Sequence, residues 1–121
     1  RAKIVYVCNL MTRPNQTAGF NVTDFAAEIE RYAGAPILDY VIYNTQKPSR
    51  ILLERYALEG EREPVEYDRT LLSQQHYIAV GEPLLSKKPA KRNPNEKFLS
   101  RTLIRHDSDR LARLIMRIYF S

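Results

Sequence analysis

Hydrophobic and polar positions along the 121 residues fall into two rhythms, one suited to strands and one to helices. Residues 3–9 (KIVYVCN) are almost continuously apolar and rich in Val, Ile and Tyr. That composition suits a strand buried on both faces of a parallel sheet, so this strand is expected to be central rather than at an edge. A polar loop follows and opens directly into a segment where Val22, Phe25, Ala26, Ile29 and Tyr32 recur at helical spacing. Asn21 or Thr23 can cap this helix, Asp24 suits its first turn, and Gly34 ends it. A second apolar run, Ile37 to Tyr43, starts after Pro36 and closes at Asn44. Together these predict a right-handed strand–helix–strand unit.

Beyond Asn44 the pattern weakens. Pro48 suits the first turn of a second helix running to about Leu58, with Gly60 as its stop. Pro64 to Tyr67 reads as a short strand, residues 69–75 as a turn of helix, and Tyr77 to Val80 as another short strand. A last helix, capped by Asp107 or Ser108, carries Leu111, Leu114, Ile115, Ile118 and Tyr119 on one apolar stripe that should pack on the sheet. The fold class expected is α/β, a Rossmann-like and mainly parallel sheet with helices on both faces. Residues 1–121 form either one small domain or the carboxyl-terminal part of a larger one. Arg1 in place of an initiator Met, with an apolar strand starting almost at once, favours the second expectation.

Charge is concentrated in one place. The formal net charge is +5, and residues 86–110 hold eight Lys or Arg against three acids, which accounts for the whole imbalance. Within this stretch residues 86–98 contain two prolines and several lysines without apolar periodicity, a basic surface loop. Such a loop can neutralise phosphates, so a nucleic-acid-binding module is one functional reading. Without interleaved aromatics a solvated loop is the simpler one, and nucleic acid is not the expected partner. The loop could also close over a crevice and help hold a diphosphate. Cys8, the single cysteine, excludes an internal disulfide and reads as a buried inert thiol. No apolar run approaches the roughly 20 residues needed to cross a bilayer and no signal peptide precedes the first strand, so a cytoplasmic chain with no membrane partner is expected.

In open α/β sheets, ligands sit beyond the carboxyl ends of the strands, where loop amides and a helix amino terminus converge. The loop after the first strand therefore supplies the candidate site. Asn9 can hydrogen-bond a base or sugar hydroxyl. Thr12 and Thr17 can contact phosphate oxygens, Arg13 can clamp an anion, and Gly19 and Pro14 set the backbone turns. Asn44 ends the second strand at the same level. The plain alternative is an ordinary connection whose polar groups satisfy its own amides. Arg105 and His106 are possible anion contacts at the entry to the last helix, though a cap at Asp107 and a surface or packing histidine explain them more simply. Asp39 and Asp68 could ligate a metal only if folding brought them together, His76 reads as structural, and no metal site is expected from spacing.

The stretch VCNLMTRPNQTAGF, with Asn9, Met11, Thr12, Pro14, Thr17, Gly19, Phe20 and Asp24, resembles the carboxyl-terminal half of the gluconeogenesis factor family, which is related to the 2-phospho-L-lactate transferases. DYVIYN, PVEYD and IRHDSDRLARLIM extend the resemblance over nearly the whole chain. Arg13, Asn15, Gln16 and Phe25 depart from the family's usual residues, and its glycine-rich nucleotide turn belongs to a half that is not in this sequence. The resemblance implies a cytoplasmic, Rossmann-like regulatory protein that binds a UDP-sugar or related phosphorylated metabolite, linked to central carbon and cell-wall metabolism and to cell shape. An exposed edge on the first strand would predict homo-oligomerisation, the other expectation being association with the missing amino-terminal half. The alternative it implies is a phospholactyl-transferase-like enzyme using a divalent cation such as Mg.

Overall fold

A computed structural model of the chain describes residues 2–13, 16–58, 63–86 and 106–121, with only the backbone described at 55–58. The elements in order are β1 (Val5–Val7), α1 (Val22–Ala33), β2 (Tyr40–Asn44), α2 (Arg50–Leu58), α3 (Arg69–Ser73), β3 (Ile78–Glu82) and α4 (Ser108–Tyr119). The three strands form one parallel sheet in the order β1-β2-β3, with Val5 opposite Tyr40 and Tyr40 opposite Ile78. The α/β class, the parallel pairing and helices on both faces all agree with the expectation from sequence.

Strand alternation builds two cores from one sheet. On one face Cys8, Val41 and Tyr43 pack with Val22, Phe25 and Ala26 of α1, joined by Leu72 and Tyr77. On the other, Ile42 packs with Leu84 and with Leu114 and Ile118 of α4, and Val5, Val7 and Val80 lie against this cluster. Ile42 is 0 % exposed, so Ile42→Ala removes a fully packed side chain, at a cost of about 2–5 kcal/mol.

The helix signals hold because each is met by a specific hydrogen bond. The Asn21 side chain accepts the Asp24 N–H while the Asp24 carboxylate accepts the Asn21 N–H, a complete capping box. Gly34 closes α1 at φ +74°, the left-handed conformation that glycine adopts without a Cβ penalty. Asp68 and Asp107 cap α3 and α4 through the amides of Leu71 and Arg110.

Several expectations need correction. The first strand lies at an edge of the described sheet, not at its centre, because only β2 pairs with it among the described residues. β2 begins at Tyr40, three residues later than expected, because Pro36 and the Ile37–Ala35 turn delay the ladder. Pro64 to Tyr67 makes two isolated bridges, Pro64 with Met11 and Glu66 with Asn21, instead of a strand. On α4 the stripe is narrower than predicted, since Tyr119 is 70 % exposed and Ile115 is exposed as well. Arg105, Pro14 and Asn15 and nearly all of the basic loop lie outside the described residues.

Candidate functional site

Two hollows border the loop that leaves β1. The first is a crevice of about 530 Å³ at the carboxyl ends of β1 and β2, lined among others by Asn9, Tyr43, Asn44, Lys47, Pro48, Leu53, Glu66 and Tyr67. The second, of about 600 Å³, is a groove beside the amino terminus of α1, lined by Thr12, Gly19, Phe20, Asn21, Glu63, Pro64, Glu66, Tyr67 and Asp68. The sequence-predicted residues are thus divided: Asn9 and Asn44 share the crevice, Thr12 and Gly19 border the groove, and Arg13 and Thr17 line neither.

Asn9 is exposed, and its carbonyl oxygen accepts the Tyr6 hydroxyl at 3.1 Å. Burial pushes the Tyr6 hydroxyl well above its usual range, so it stays a neutral donor and fixes the Asn9 amide in one orientation. Among the described residues the Asn9 amide nitrogen has no partner, which leaves it as the loop's available donor. Asn44 is used differently. Its Oδ1 accepts the N–H groups of Gln46 at 3.1 Å and Leu84 at 2.9 Å, and its Nδ2 donates to the Gln46 carbonyl at 2.7 Å. Asn44 therefore joins the ends of β2 and β3 and shapes the crevice wall. Tyr43 and Tyr67 stand with ring centroids 4.9 Å apart, and a Cβ at Gly81 would lie 2.5 Å from Tyr43 Cζ, so glycine is what lets this ring cross β3.

The remaining candidates are largely engaged with the protein itself. Thr12 is 3 % exposed. Its hydroxyl donates to the Glu63 carbonyl and accepts the Glu63 N–H, both at 3.2 Å, so this threonine anchors the segment before Pro64 instead of presenting its oxygen to phosphate. Thr17 accepts the Arg13 N–H at 2.7 Å, and the Thr17 N–H donates to the Arg13 carbonyl, closing the loop on itself. The amino end of α1 is satisfied by its own capping box and by Val22 N–H donating to Glu66 O at 2.9 Å. With Glu63, Glu66 and Asp68 around it, that groove disfavours an anion despite the helix dipole. Lys47 supplies the cation on the crevice side.

His106 bridges antiparallel to Leu85, a crevice residue, and is half-buried. Its Nε2 is buried without a hydrogen-bond partner. Burial lowers the imidazole pKa from 6.5, and a hydrogen bond with the Cys8 backbone opposes the shift, so the ring is a neutral packing group across the sheet end. Cys8 is fully buried and its thiol is pushed up to about 12 by burial, as an inert thiol requires. Asp39 accepts the Ile4 N–H at 2.8 Å and Asp68 caps α3, so these two carboxylates serve separate structural ends. Among the described residues no three His, Cys, Asp or Glu side chains gather to hold a metal. His76 pairs with Glu30 at 2.8 Å, tying α1 to the turn before β3, a link that sequence spacing does not signal.

A model of the family described as 2-phospho-L-lactate transferase CofD matches residues 1–85. A Thermotoga maritima protein named "Putative gluconeogenesis factor" is 37 % identical over 122 residues, covering 98 % of this chain and 34 % of its own length. The Bacillus subtilis gluconeogenesis factor is 24 % identical over 115 residues, covering 95 % of this chain and 32 % of its own. A crystal structure of a UPF0052 family member from Bacillus halodurans superposes with a TM-score of 0.77 at 22 % identity, over 95 % of this chain and 33 % of that one, which shows a shared fold. The chain thus spans about a third of the length of these relatives. Among the described residues no helix is long and apolar enough to cross a membrane. With its parallel sheet, its capped α1 and a match over most of its length, the chain belongs to the 2-phospho-L-lactate transferase CofD family.

Proposed function

We propose that the chain contributes a ligand crevice to a regulatory protein that binds a UDP-sugar or related phosphorylated metabolite and links central carbon metabolism to cell-wall metabolism and cell shape. The observation that carries this reading is the crevice at the carboxyl ends of β1 and β2, where the Asn9 amide, Lys47 and the Tyr43–Tyr67 pair surround about 530 Å³. That volume suits a nucleotide-sized ligand, and the lining combines apolar surface with a few fixed polar groups. Asn9 suits a sugar or base hydrogen bond, and Lys47 suits a phosphate oxygen. The relatives' names, gluconeogenesis factors, support the link to central carbon metabolism.

The test is calorimetric titration of the 121-residue chain and of the full-length Thermotoga maritima relative with UDP-glucose, UDP and glucose. UDP-glucose should bind, and Asn9→Ala should weaken it by about tenfold, the worth of one good hydrogen bond. No binding by either protein, or an unchanged affinity in Asn9→Ala, would overturn the reading.

A second reading, a phospholactyl transferase, is favoured by the family description alone. Turnover of a phospholactyl donor with Mg by the full-length relative separates an enzyme from a binding protein. A divalent ion would need ligands from beyond the described residues, since Asp39 and Asp68 are committed to Ile4 and Leu71.

A further inference from the structure

We infer that His106 is a positioning residue for the crevice: from the entry to α4 its imidazole holds the Cys8 carbonyl and so sets the peptide from which Asn9 reaches the ligand. This deepens the ligand reading proposed above and rests on it. Cys8 is 1 % exposed, and its N–H makes the last rung between β1 and β2, to Ile42 O at 2.8 Å. Its carbonyl is left over. Among the described residues no backbone amide donates to that oxygen, and a buried carbonyl needs a donor. The His106 ring supplies one. Because Nε2 is buried without a partner, the bond comes from Nδ1, which selects the neutral tautomer protonated there.

Two handles therefore meet at Asn9. The Tyr6 hydroxyl holds its side-chain oxygen at 3.1 Å, and the planar peptide bond makes the Cys8 carbonyl and the Asn9 N–H one rigid unit, so the imidazole fixes how the strand end leaves the sheet. His106 is itself built in. It bridges Leu85, part of the crevice lining, and the next residue, Asp107, donates its N–H to Leu84 O at 2.6 Å while capping α4 through the Arg110 amide. Leu84 N–H in turn donates to Asn44 Oδ1 at 2.9 Å, so the ring joins the Asn9 side of the crevice to its Asn44 side. With Nδ1 engaged and Nε2 buried, His106 keeps no donor for a ligand anion and acts through Asn9 instead.

Two measurements test the assignment. Nitrogen NMR of the 121-residue chain at about pH 8, where the imidazole is neutral, should show His106 protonated at Nδ1, the tautomer that free histidine disfavours. The second is calorimetry with UDP-glucose on two variants. His106→Phe keeps a ring without a donor and should weaken binding about tenfold, whereas His106→Asn puts an amide nitrogen near the place of Nδ1 and should restore affinity to within about threefold of the unsubstituted chain. A ring protonated at Nε2 would overturn the proposal, even if His106→Phe failed to fold. Equal weakening by both substitutions would overturn it too, by making ring shape the cause, and so would full affinity in His106→Phe. If UDP-glucose did not bind the unsubstituted chain, the ligand reading would fall and this assignment with it. A wrong tautomer or a failed rescue in a chain that binds removes the assignment alone.

Discussion

The two hollows beside the β1–α1 loop are similar in size and share Pro64, Glu66 and Tyr67, yet the rest of their linings differ in character. The crevice, about 530 Å³, joins amides and a lysine to two tyrosine rings. The groove, about 600 Å³, places Glu63, Glu66 and Asp68 around a helix end whose amides are already satisfied. The difference shows that a helix amino terminus is an anion site only when its own sequence leaves it open. Here the capping box of Asn21 and Asp24 fills it, so under the proposed function a phosphate would meet its cation at Lys47, on the other side of the loop.

Between the two hollows the largest expected effect comes from Gly81→Val. Its Cβ would meet Tyr43 at 2.5 Å, so the ring must leave its place and enter the crevice. Urea unfolding should show a loss of about 3 kcal/mol, with ligand binding lost while the Thr12–Glu63 side stays intact. Asn44→Ala should cost about 2 kcal/mol, since it strands the Leu84 and Gln46 amides, and should loosen only the crevice. If it left crevice binding untouched, the assignment of Asn44 to the crevice wall would be wrong. Thr12→Val is the counterpart in the groove. It should cost about 1 kcal/mol through the lost Glu63 bonds and leave UDP-glucose affinity unchanged, and a clear fall in affinity would place the ligand in the groove instead.

The smallest effect is the acid response of His106. Its folded pKa lies below the 6.5 of a free imidazole, so below that pH the unfolded chain takes up more protons than the folded one. Stability present above pH 6.5 should therefore decline as the pH falls through the window between the two values. Thermal unfolding of His106→Gln should lack this part of the pH dependence. An identical profile in the variant would show that the imidazole is not the group responsible.

Much of this fold was legible in the sequence, because the decisive signals were local. Asn21, Asp24 and Gly34 bounded α1, and Asp107 placed the start of α4. Asn9 and Asn44, read as strand-end residues, do share one crevice. What was not legible depended on distant partners. Thr12 reads as a free hydroxyl until Glu63, 51 residues away, takes it. Lys47, Tyr43 and Tyr67 converge only because β2 and the segment after Pro64 meet, and no spacing in sequence announces it. The edge position of β1 among the described residues was hidden for the same reason: its composition reports covered faces, whereas sheet order is decided by what lies beside it in the plane.

The single thiol offers a practical consequence. Cys8 sits one residue before Asn9, sealed between the sheet and α1, with a pKa near 12 that keeps it protonated and silent toward alkylating reagents. Any reaction it undergoes must wait for the junction to open. Its labelling rate is therefore a built-in gauge of how often the chain breathes at that junction, and a ligand seated against Asn9 should slow the clock.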